Sequence, residues 1–197
     1  MKDDLEQRVL EFWFGKEDSP EFGVRQAKWF EADAEFDALV TEKFGADYEA
    51  AVAGEYDWLT DSARGCLALV VLLDQFPRNM FRGTARAFEA DDKARTIARV
   101  AIEDGFDQAL PPVFRSFFYL PFEHSEDLAD QELSVLLFET LDDMNSLRYA
   151  VSHRDVIARF GRFPHRNLQL GRENTPEESA FLSEPGSGFG NQMPKDK

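Results

Sequence analysis

The sequence predicts an all-α fold. Apolar residues recur at three- and four-residue spacing along nearly the whole chain, and no convincing run of two-residue alternation interrupts them. The periodic stretches are also punctuated by helix start and stop signals, with Ser, Thr or Asp ahead of them and Gly or Pro behind.

Leu5, Val9, Phe12 and Trp13 define a first helix, capped by Asp3 or Asp4 and stopped at Gly15. Ser19-Pro20-Glu21 reads as the start of a second helix carrying Trp29 and Phe30, since proline suits the first helical position and an acid suits the first turn. Asp33 caps a third, with Phe36, Leu39, Val40 and Phe44 on one face. It is expected to break near Gly45 and resume through Tyr48 and Val52. Thr60 or Asp61 then leads into an aliphatic helix over 63–76, which Pro77 is expected to end. After Gly83 a helix runs from about Ala87 or Asp91 to Asp104 and closes at Gly105. Pro111-Pro112 opens the aromatic segment 113–120, expected to stop at Pro121, and Ser125 or Asp127 caps a helix through Leu141. Another follows over about 146–160, with Ala150, Val151, Ile157 and Phe160 inward. Thr175-Pro176-Glu177-Glu178 opens a last short helix with a capping box. From Glu184 the chain is Gly/Pro/polar, so one domain over 1–183 and a disordered tail over 184–197 are expected.

The 197-residue chain has a net charge of −16 and a pI near 4.5, which disfavours nucleic acid and anionic membranes as partners. Its one cysteine, Cys66, excludes an intrachain disulfide and fits a reducing cytosol; the acidic N-terminus has no apolar signal region. The aliphatic run 66–73 is far short of the roughly 20 residues a membrane-spanning helix needs, and reads as core. A cytoplasmic protein is expected, with the oligomeric state left open.

Against this acidic background, 148–172 stands out: six arginines, no lysine, His153 and His165, and a single carboxylate, Asp155. Planar cations concentrated in this way imply a bound anion or internal carboxylates. The segment also contains one of two related motifs. Asp74-Gln75-Phe76-Pro77-Arg78-Asn79 and Arg162-Phe163-Pro164-His165-Arg166-Asn167 each place Arg and Asn after a Phe-Pro helix end, and could clamp one anionic group from two sides. Phe-Pro is equally an ordinary helix stop, with Arg satisfying the last carbonyls.

Glu123, His124 and Asp127 form a candidate metal set if their segment is helical, although the same residues suit a helix N-terminus. His124, His153 and His165 are the candidate acid–base groups, because imidazole titrates near neutrality. Cys66 lies inside the aliphatic run, where a thiol is normally inert. There is no GxSxG, Walker loop or GxGxxG, and no cofactor is expected.

The blocks VLEFWFG, KWF, LDQFPRNMFRGTARAFEAD, FFYLPFEHSED and HRDVIARFGRFPHRN, with GR and TPEESAFL after them, resemble the bacterial DUF924 family to about Leu182. That resemblance implies a single domain of stacked antiparallel helix pairs, tetratricopeptide-like, and brings no established activity. The 34-residue tetratricopeptide consensus itself is missing. Its signature positions, without assigned roles, fall on Asp74, Gln75, Arg78, Asn79, Arg82, Glu123, His124, Ser125, Glu126, Asp127, His153, Arg154, Arg162, His165, Arg166 and Asn167.

Three functions are compatible with these residues. In the first, Asp74, Gln75, Arg78, Asn79, Arg82, His153, Arg154, Arg162, His165, Arg166 and Asn167 surround a small carboxylate or phosphate, or a peptide terminus. In the second, Glu123, His124 and Asp127 hold a metal for hydrolysis. In the third, the arginines pair internally with Asp74, Glu123, Glu126 and Asp127, and lock the helices together.

Overall fold

The computed structural model describes residues 4–185; Met1–Asp3 and the tail from 186 onward, including most of the tail expected to be disordered, lie outside it. Among the described residues the fold is all helical, with no strand. The α-helices are α1 (Leu5–Phe14), α2 (Ala34–Val52), α3 (Ala63–Val70), α4 (Phe76–Met80), α5 (Asp91–Glu103), α6 (Pro112–Glu123), α7 (Leu128–Glu139), α8 (Met144–Phe160) and α9 (Pro176–Leu182). Helices consecutive in sequence pack as neighbours, α6 against α7 and α7 against α8. This is compatible with a tetratricopeptide-like stack.

The aliphatic run forms the centre. Every residue from Cys66 to Leu73 is buried, and α1, α2, α5 and α6 surround it. The N-cap is Ser62, whose hydroxyl accepts from the Gly65 N–H (3.1 Å), and neither of the caps expected at Thr60 or Asp61 is used. Pro77 does not end the helix. Residues 71–75 form a π turn, and the chain re-enters α geometry at Phe76 with proline in the first turn, where its missing N–H costs little. The additional residue in that wider turn places Asp74 and Gln75 at the junction of the two helices.

Pro121 is likewise inside a helix, one turn before its end. The loss of its N–H is confined to that last turn, since His124 N–H still bonds the Leu120 carbonyl (2.9 Å). Buried Gln131 of α7 then caps α6 from outside: its amide nitrogen donates to the carbonyls of Glu123 (2.6 Å), Ser125 (2.7 Å) and Phe122 (3.3 Å). Both departures from the sequence expectation therefore keep a helix running to the residues that matter below.

The expected helix at Ser19–Phe30 is replaced by turns and one short 3₁₀ segment, Ala27–Trp29. Gly23 is left-handed (φ 68°), and packing fixes the region more strongly than periodicity does. Trp29 sits against Trp13, Phe14 and Phe117 and donates its Nε1–H to the Trp13 carbonyl (2.9 Å). Conversely, α2 passes through Gly45 unbroken. Val40, Phe44, Tyr48 and Ala51 are buried at helical spacing on both sides of it, outweighing a glycine penalty of about 1 kcal/mol, while Leu39 faces solvent. Asp143 rather than Ser146 begins α8, accepting from the N–H groups of Asn145 and Ser146; the capping box of α9 is present as expected.

Glycine at 65 is required by space. A Cβ there would lie 2.1 Å from the Leu59 carbonyl oxygen. Gly65→Ala should therefore destabilise the protein by roughly 1–3 kcal/mol despite alanine's better helix propensity, measured as a lowered midpoint in chemical denaturation. An unchanged or raised midpoint would refute the steric account.

Candidate functional site

The π turn, α4, α6, α8 and the loop after α8 enclose a cleft of about 500 Å³. Its walls are largely aromatic and aliphatic: Trp29, Phe117, Leu120, Phe138 and Leu141. At one end the lining changes to Gln75, Arg78, Glu123, His124, His153, His165 and Arg166. All three histidines of the chain meet here.

Behind that end lies a buried ion network. Asp74 is fully buried, and Arg78 approaches it at 3.2 Å while donating twice to Asp91 of α5 (3.0 and 3.1 Å) and once to the Asp74 carbonyl. Burial alone would push the Asp74 carboxyl up, but Arg78 and His124 outweigh it and hold the group well below the usual carboxylate range. Asp74 Oδ1 is 2.8 Å from His124 Nδ1. An ionised carboxylate can only accept, so Nδ1 carries the proton and Nε2 is the basic nitrogen. Burial and then Arg78 lower the His124 pKa, which keeps that imidazole neutral. A neutral imidazole oriented by a buried carboxylate is suited to taking a proton.

Glu123 is the opposite case. It is 5% exposed, no arginine pairs with it, and burial followed by the nearby Asp74 charge raises its pKa to about 8. It is thus a protonated acid at neutral pH. His153 places Nδ1 at 2.8 Å from the Tyr149 carbonyl and 3.2 Å from Glu123 Oε1, and burial drives its pKa down to about 3. His165 is lowered to about 3 by burial and by Arg166.

Arg166 differs from every other arginine of its segment. Its guanidinium lies between the rings of Phe88 (4.6 Å) and Phe163 (4.5 Å), is 6% exposed, and reaches its nearest carboxylate, Asp91, only at 3.8 Å. Its buried Nε has no hydrogen-bond partner among the described residues. Burial lowers its pKa to about 10, so it stays charged at pH 7. A buried planar cation with unused donors in the wall of a cleft is a site for a carboxylate or phosphate oxygen.

Not all of the expected ligand set gathers here. Arg82 and Asn79 line the cleft, but both are occupied by Asp37, Arg82 through two bonds of 2.7 and 2.8 Å and Asn79 through one of 2.8 Å. Arg154 pairs with Asp155 at the surface, Arg162 makes a two-bond pair with Glu178, and Asn167 bonds Asn174 and Glu178, so these three lie outside the cleft. Arg172 grips Glu126 with two bonds, and Arg159 pairs with Glu177. Most of the arginine-rich segment is therefore internal pairing. The metal set does not assemble: exposed Asp127 is the N-cap of α7, accepting from Ala129 N–H (2.7 Å), because α6 ends at Glu123 and a new helix starts five residues later. Among the described residues no group of three or more His, Cys, Asp or Glu is placed to hold a metal.

Three participants had no local signal. Asp91 and Asp37 read as ordinary first-turn acids, and Phe88 lies in a short 3₁₀ turn; only tertiary contact joins them to the site. No described helix is long and apolar enough to cross a membrane.

A family model described as bacterial protein of unknown function (DUF924) matches residues 9–186. The solved structure of a protein of unknown function from Agrobacterium tumefaciens is 44% identical, with a TM-score of 0.83, and the match covers 92% of this chain and 98% of that one. No curated protein matches the chain.

The Glu123 environment has a pH signature. Its ordinary value is 4.5 and its folded value about 8, so the native state binds the extra proton between these limits and stability falls as pH rises through the window. His153 and His165 oppose that trend below about 6.5, where the unfolded chain takes up their protons. Between pH 6.5 and 8 the Glu123 contribution is left, with a slope of at most about 1.4 kcal/mol per pH unit. Glu123→Gln, which mimics the neutral acid, should match the parent near pH 4.5 in denaturant titrations and exceed it increasingly from there toward pH 8. Parallel curves would show that Glu123 is already ionised.

Proposed function

The chain belongs to the DUF924 family, and from that premise we propose that its cleft binds a small organic anion through Arg166. The carrying observation is the stacked, buried Arg166 guanidinium with unused donors in a mainly apolar cleft. A carboxylate or phosphate would supply the missing acceptors, and the Phe88 and Phe163 faces already hold the guanidinium plane in place, so little order is lost on binding. A free metabolite and a peptide C-terminus offer the same carboxylate. A cytoplasmic setting belongs to this reading, since one buried cysteine and an acidic surface suit a reducing compartment.

The Asp74–His124 pair supports a second, catalytic reading. His124 would act as general base on the bound anion, Asp74 would fix its tautomer, and protonated Glu123 would serve as a proton donor. Asp74→Asn should then shift the His124 ring proton to Nε2, visible in nitrogen-15 imidazole spectra. An unchanged tautomer would remove Asp74 from the mechanism.

Binding should carry a proton with it. Arg78 and Arg166 are already balanced by Asp74 and Asp91, and Glu123 is neutral, so the charge of an incoming anion is offset by protonating His124, His153 or His165. Titration calorimetry with acetate or inorganic phosphate in buffers of differing ionisation enthalpy should reveal net proton uptake, approaching about one per anion, and affinity rising as pH falls from 8 to 6. Saturating anion should raise the parent's thermal midpoint by several degrees, corresponding to about 2.7 kcal/mol at one hundred times Kd. Arg166→Gln should abolish that shift and keep the native circular dichroism spectrum. Arg78→Gln should instead destabilise the fold by roughly 3–5 kcal/mol, because it leaves Asp74 and Asp91 buried without their partner. Anion shifts that survive Arg166→Gln would sink the assignment.

A further inference from the structure

We infer that the cleft is built for a monocarboxylic acid with an extended, unbranched apolar tail; this deepens the anion reading and rests on it. The cleft has two unlike ends. Glu123, His153 and Arg166 form the closed end, each less than one-tenth exposed. Asp142, Asp143, Glu31 and Arg25 lie at the other, where the paired Arg25 and Asp143 side chains are 44% and 43% exposed.

Helix geometry gives the distance between them. The N-cap of α8 is Asp143, and His153 ten residues later touches Glu123 at the C-terminal end of α6. At 1.5 Å per residue that separation is about 15 Å, the reach of an extended acid of about eight to twelve carbons. The apolar lining includes Phe117, Leu120, Phe138, Leu141 and Trp29, while Arg82, which also lines the cleft, is already paired with Asp37, and the volume of about 500 Å³ accommodates a single chain of that length.

The charges choose the head group and its direction. Arg166 is the closed-end cation whose side chain makes no hydrogen bond among the described residues, whereas Arg78, although its Nε is also unpartnered, commits both terminal nitrogens to Asp74 and Asp91. A singly charged head suits that end better than a dianion. Arg25 at the mouth is engaged by Asp143 (3.5 Å), and Glu31 and Asp142 leave that end net negative, so the acid enters tail outward and a dicarboxylic acid of equal length is disfavoured.

The test is a calorimetric series with the full chain and n-alkanoates from butanoate to dodecanoate. Affinity should rise about three- to fourfold per methylene and level off at about ten to twelve carbons, where the tail clears the mouth. Decanedioate should bind more weakly than decanoate. Arg166→Gln should weaken the whole series, and Ser116→Trp, which fills the outer half of the cleft, should move the plateau to shorter acids. Binding of acetate or phosphate that depends on Arg166 but gains nothing with tail length would overturn this inference and leave the anion site standing. No binding of any anion would overturn both. Decanol binding as tightly as decanoate would also refute it, since the head would then go unread.

Discussion

The contact on which the cleft depends is the buried bridge from Asp74 through Arg78 to Asp91. It joins the π turn of the central helix to the first turn of α5, with Asp74 fully buried and Arg78 and Asp91 each about one-tenth exposed. Asp74 also holds the His124 Nδ1, and its charge adds to the burial that keeps Glu123 from ionising. One ionised carboxylate therefore fixes the tautomer of one neighbour and reinforces the protonated state of the other. The network also explains why Arg166 is left with free donors: Asp91 is already engaged in two bonds with Arg78 and meets the second arginine only at 3.8 Å. Buried ion pairs are poor sources of net stability, and this one is better understood as fixing positions and proton counts.

Much of the fold was legible from residue spacing, because buried stripes such as Val40, Phe44 and Tyr48, and caps such as Asp33 and Thr175, act locally. Two prolines misled for a common reason. Pro77 and Pro121 do break a hydrogen bond, but a wider turn before the first and the nearby helix end after the second absorb the loss, and sequence alone does not reveal such an adjustment. The segment Ser19–Phe30 failed differently: its start signals were real, yet aromatic packing of Trp29 decided its path.

The site was half legible. The paired Phe-Pro motifs and the segment around His124 do converge on one cavity, which their Arg and His content signalled. Which arginine is unsatisfied could not be read from sequence. Arg154, Arg159, Arg162 and Arg172 look the same as Arg166 on paper; their partners Asp155, Glu177, Glu178 and Glu126 come from a neighbouring position, α9 and the α6–α7 connection. Whether a charge is spent or available is a property of tertiary pairing.

The loop bearing Arg166 has its own small core. Val156, Ile157 and Phe163, with Phe160 and Phe181 against them, form a cluster apart from the main one, and Glu126 ties the loop down by accepting from Phe163 N–H and from Arg172. Such satellite units open at lower free energy than the body they rest on. The closed end of the cleft is therefore formed by the part of the molecule held most by charge and least by apolar burial. Raising ionic strength weakens that hold while leaving the central helices unaffected. Local opening of 162–182 would uncover the closed end of the cavity, and salt would favour it.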